Sequence, residues 1–91
     1  MPSNPEQDRR EDCRRAVLKF LAMRLGTAHD AGAVRRATRN DGDDFGIEEI
    51  EAALAFLTGD NLAVMTESDL GATRYYQATV NGVRFFERGR K

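Results

Sequence analysis

An apolar stripe, Ile47, Ile50, Leu54 and Leu57, lies between a polar turn and Gly59. Steps of three and four residues put these side chains on one face of a helix. The residues between them are mostly good helix formers, and Glu48 and Glu49 fall in the first turn, where the helix dipole favours acids. A helix from Ile47 to about Gly59 needs an apolar partner surface. With 91 residues the rest of the chain must supply it within a single core.

The first such surface comes from the N-terminal third. Cys13, Val17, Leu18, Leu21 and Leu25 recur at helical steps from about Asp8, with Ala16 and Phe20 widening the stripe and Gly26 ending it. Residues 1–8, with Pro2 and Pro5 among polar neighbours, read as a disordered tail. Thr27-Ala28-His29-Asp30 reads as a capping box for a short second helix, with Ala31, Val34, Ala37 and Thr38 inward. Residues 40–46 form the turn into the third helix.

Beyond Gly59 the pattern changes. Leu62–Thr66 and Arg74–Thr79 have strand character and are separated by a loop too long for a tight turn. Thr79 suits the N-cap of a last short helix with Val80, Val83 and Phe86 inward and Arg84 and Arg88 outward. A strand over residues 83–87 is the competing reading, since Val83, Phe85 and Phe86 also suit a sheet. The expected organisation is one domain over residues 9–88, followed by a frayed basic end at residues 89–91.

Three helices followed by a two-stranded hairpin is the element order of a winged helix-turn-helix domain. Phe56-Leu57-Thr58-Gly59-Asp60-Asn61-Leu62-Ala63-Val64 resembles the passage from the third helix of that fold into its wing. Tyr75-Tyr76-Gln77-Ala78-Thr79-Val80-Asn81-Gly82-Val83 resembles the second wing strand and the T-x-x-G entry to the closing helix of many bacterial regulators. The resemblance covers about residues 10–88 and extends to small regulators carried by prophages. It implies an α+β fold: a three-helix core, a two-stranded wing and a short closing helix. It also implies DNA-binding transcriptional regulation, with double-stranded DNA as partner.

Charge distribution bears on that function. The net charge is -1, residues 47–73 hold six acidic groups and no basic one, and residues 74–91 hold five basic groups against Glu87. Phosphate contacts would fall to Arg35, Arg36 and Arg39 on the second helix and to Arg74 at the wing. The third helix would bring Glu48, Glu51 and Ala52 nearest the bases, where glutamate can accept from cytosine but is repelled by phosphate. The alternative is a winged helix that contacts protein or a second copy of itself through the acidic third helix, around Ala52, Ala55 and Phe56.

Other function classes find little support. Asp41-Gly42-Asp43-Asp44-Phe45-Gly46 only faintly resembles a calcium loop, with Phe45 at the fifth position and Ala52 at the twelfth. His29 is the one histidine and Cys13 the one cysteine, and Cys13 lies on the buried stripe. No glycine-rich phosphate loop and no nucleophile turn is present, so neither enzyme activity nor a cofactor or metal is expected. The N-terminus lacks a signal peptide's basic flank and apolar stretch, and no apolar run is long enough to span a bilayer. A cytoplasmic protein is expected.

Overall fold

A computed structural model describes residues 4–89. The element order is α1 (Pro5–Met23), α2 (Ala31–Asn40), α3 (Ile47–Gly59), β1 (Ala63–Glu67), β2 (Arg74–Ala78) and α4 (Val80–Arg88). This is the α+β winged helix expected from the resemblance: a helical core, an antiparallel hairpin and a closing helix. Residues 1–3, expected in the tail, and Arg90 and Lys91, expected in the basic end, lie outside the described residues.

Helix α1 starts earlier than the expected Asp8. The Asn4 side chain accepts from the backbone N–H of Glu6 and Gln7, and Pro5 occupies the first helical position, where no N–H is needed. Residues 5–8, read as tail from the sequence, are therefore the first turn of the helix. At the other end the helix stops at Met23, so Leu25 leaves the apolar stripe and is exposed. Gly26 still makes the reversal, with φ 92°, and Thr27 N–H donates to Arg24 O.

The expected capping box at Thr27–Asp30 is not formed. His29 instead pairs its backbone with Tyr76 of β2, N–H to O and O to N–H, both at 2.8 Å. That pairing holds His29 extended, so α2 begins only after Asp30, whose carboxylate accepts from Ala33 N–H. The His29–Tyr76 bridge thus ties the middle of β2 to the segment between α1 and α2.

The core joins Cys13, Val17, Leu18, Phe20 and Leu21 of α1 to Val34 of α2 and to Ile50, Ala53, Leu54 and Leu57 of α3. Each large side chain buried here contributes roughly 1.5–3 kcal/mol. Ile47, expected inward, is 38% exposed because it opens α3, one turn ahead of the packed residues. Val80 is likewise exposed at the first position of α4, while Val83 and Phe86 pack against the core. Phe45, placed in the turn by sequence, is buried in the core.

β1 and β2 pair in register from Ala63↔Ala78 to Glu67↔Arg74. The passage from α3 runs through Asn61, whose φ of 62° is tolerated by asparagine more readily than by most residues. Leu62 N–H returns to Leu57 O, and Leu62 O accepts from Thr79 N–H. Residues 83–87 are helical rather than a third strand. The Thr79 hydroxyl accepts from Gly82 N–H at 3.0 Å and donates to Asn61 O at 2.7 Å, starting α4 against the end of α3.

Candidate nucleic-acid interface

The residues assigned to a duplex from the sequence lie on α2, α3 and the hairpin. On α2, Arg36 is exposed and has no ion pair among the described residues. Its neighbours are committed to different degrees. Arg35 is half-buried and its Nε donates to Phe45 O at 3.3 Å. The Arg39 guanidinium stands 3.5 Å from the Asp44 carboxylate, both groups largely in solvent. On the wing Arg74 lies 4.0 Å from Glu67, its cross-strand partner. Exposed pairs this loose contribute little, so Arg39 and Arg74 can leave their partners at small cost.

Helix α3 presents the other sign. Glu48, Glu51, Ala52, Ala55 and Phe56 are all exposed, and the helix carries no cation. The strip borders α1: Glu48 and Ala52 line a shallow cleft with Glu6, Arg10 and Arg14. The Arg14 guanidinium sits 3.7 Å above the centre of the Phe56 ring. Cations of α1 therefore flank the acidic helix, a juxtaposition that sequence spacing alone did not reveal.

Glu49 is not part of this free acidic surface. Arg9 of α1 grips it with Nε to Oε2 at 2.6 Å and Nη2 to Oε1 at 3.0 Å. Glu49 Oε1 also accepts from Gly46 N–H at 3.0 Å, capping a helix whose N-cap has no side chain. The Arg9 bond, with the Gly46 amide second, holds the Glu49 carboxyl below the usual glutamate range. Glu49 at the third helical position was a readable capping signal. Its ion pair with Arg9 had none, because the two are 40 residues apart.

Two apolar features complete the surface. Phe56 (41% exposed) and Phe85 (53% exposed) border a groove with Leu18, Leu57, Leu62 and Phe86, rimmed by Glu11, Arg14, Arg15 and Asp60. At the tip of the wing Leu70 is 93% exposed. Among the described residues no group of three or more His, Cys, Asp or Glu side chains could hold a metal ion. No helix among them is long and apolar enough to cross a membrane.

The chain matches no family model and no curated protein. It is similar to a solved structure described as an "X-ray structure of PadR-like Transcription factor from bacteroid fragilis". The TM-score is 0.74 at 20% identity, over 92% of this chain and 82% of the other. That likeness agrees with the winged helix fold.

Proposed function

We propose that this chain is a DNA-binding transcriptional regulator of bacterial or prophage type, working in the cytoplasm without catalysis. The observation that carries the reading is the cationic set on α2 and the wing. Arg36 is unpaired among the described residues, and Arg39 and Arg74 are held only by loose exposed contacts. These three are the proposed phosphate contacts, and Glu48, Glu51 and Ala52 are the residues nearest the bases. Arg35, expected among the phosphate contacts from the sequence, is half-buried with its Nε on Phe45 O. The likeness to a transcription factor of the same fold supports the reading. Affinity of this kind falls steeply with salt, because each phosphate neutralised releases counterions.

The test is titration with mixed-sequence duplex at about 50 and 200 mM salt while amide shifts are followed. Salt-sensitive shifts over residues 31–58 and the wing are expected. No response at the lower salt would sink the proposal.

A second reading is favoured by the acidic α3 strip together with the exposed rings of Phe56 and Phe85. In it, the surface around Ala52, Ala55 and Phe56 contacts a protein partner or a second copy of the chain. Amide shifts that depend on protein concentration in the absence of DNA are its signature.

A further inference from the structure

We infer that Arg35 positions α3 rather than binding phosphate, which refines the DNA reading above. The turn between α2 and α3 offers two consecutive carbonyls, and each accepts from a guanidinium on a different helix. Arg9 Nη2 of α1 donates to Asp44 O at 3.0 Å, and Arg35 Nε of α2 donates to Phe45 O at 3.3 Å. Between these bonds the Phe45 ring is buried, with the Arg9 guanidinium 5.1 Å from its centre. The Arg9 fork then continues to Glu49 in the first turn of α3.

The peptide groups of Asp44 and Phe45 are thereby held from two sides, and α3 begins directly beyond them at Ile47. These bonds fix the entry of α3, whose buried face is held separately by Ile50, Ala53, Leu54 and Leu57. At 1.5 Å per residue α3 is about 20 Å long, so a tilt of about 10° moves its far end roughly 3 Å. A displacement of that size exceeds what a hydrogen bond tolerates. Arg36, the next residue, bonds to nothing in the turn and keeps its charge uncommitted.

The two roles separate by chemistry. The amide nitrogen of glutamine stands the same number of bonds from the backbone as arginine Nε. Arg35→Gln therefore keeps a donor for Phe45 O and removes the charge, whereas Arg35→Ala removes both. Wild type, Arg35→Gln, Arg35→Ala and Arg36→Gln are titrated with mixed-sequence duplex across a salt series, and amide spectra are recorded without DNA.

Arg35→Gln is expected to keep the wild-type salt slope and the wild-type amide positions of α3. Arg35→Ala is expected to lose affinity at an unchanged slope and to shift the free-protein amides of residues 44–51. Arg36→Gln should flatten the slope by roughly one unit with those amides unmoved. If Arg35→Gln flattens the slope in the same way, Arg35 is a phosphate ligand and the inference is overturned. If Arg35→Ala does not fold, the Arg35→Gln slope alone decides.

If the wild type ignores the duplex, the DNA reading fails and the free-protein amides decide the positioning role. Shifts over residues 44–51 in Arg35→Ala that Arg35→Gln restores support it. Their absence overturns it.

Discussion

Gly82 and Leu62 meet so closely that a side-chain carbon on Gly82 would overlap the Leu62 carbonyl oxygen. The same carbon would stand 3.0 Å from the Leu62 carbonyl carbon and 3.4 Å from Leu18 Cδ1. The glycine of the T-x-x-G stretch therefore has a steric role: it lets α4 lie against the backbone that leads into the wing.

Gly82→Ala tests that contact. Alanine improves helix propensity by about 1 kcal/mol. The overlap is with backbone, however, and overpacking of this kind costs roughly 1–3 kcal/mol or more. A net loss of stability is expected, read as a lower urea midpoint. An alanine variant as stable as wild type would show that the contact relaxes freely. Thr79→Ala, which removes the cap of α4 and the bond to Asn61 O, should cost about 1–2 kcal/mol, and Thr79→Ser should recover most of it.

His29 offers the opposite case. Its Nε2 is buried without a hydrogen-bond partner among the described residues, and its ring meets Phe20 edge-on at 4.8 Å. An unsatisfied buried polar atom costs roughly 1–3 kcal/mol, so His29→Phe, which retains a ring, should be neutral or stabilising. The measurement is thermal unfolding of the pair. A clear fall in melting temperature would mean that Nε2 has a partner, such as a bound water.

Cys13 should be unreactive while the protein is folded. Its thiol is buried in the core, donates to Glu49 O at 3.5 Å, and is pushed by burial up to about 11. Labelling with a disulfide reagent at pH 8 should be slow and should accelerate sharply through the urea transition. The raised value also sets a sign. The contribution to stability is complete below the thiol's unfolded value, near 8.5, and is lost as pH rises toward about 11.

The Arg9–Glu49 pair acts at the other end of the scale. The Glu49 carboxyl is held low in the folded state, so its contribution is present above the unfolded glutamate value. It fades as pH falls through the lowered folded value. Wild type should therefore lose more stability than Glu49→Gln when acidified below about pH 4. Equal acid sensitivity in the two chains would remove the pair from the account. High salt should narrow the difference, because both side chains are substantially exposed.

The sequence made the helices legible because their apolar stripes repeat locally: Ile50, Leu54 and Leu57, or Val17, Leu18 and Leu21. It misled where local pattern met a distant constraint. The Thr27–Asp30 signal yielded to a strand-like pairing with Tyr76, 47 positions beyond His29. Phe45 looked like turn filler because no period announces a lone residue that closes a core. At the candidate interface, exposure of the α3 residues followed from the helix period. The commitments of the arginines did not, since a guanidinium finds its carbonyl through the fold and not through spacing.

The bridge between His29 and Tyr76 has a mechanical consequence for the wing. Thr79 holds the hairpin at its root and the bridge holds it at the middle of β2, while nearer the tip Thr66 pairs with Tyr75 and Glu67 with Arg74. The tip has supports of its own: Ser68 N–H donates to Thr73 O, Ser68 Oγ accepts from Thr73 N–H, and Gly71 holds φ 70°. Leu70 is therefore the position at which the outermost contact can be exchanged with these supports left in place.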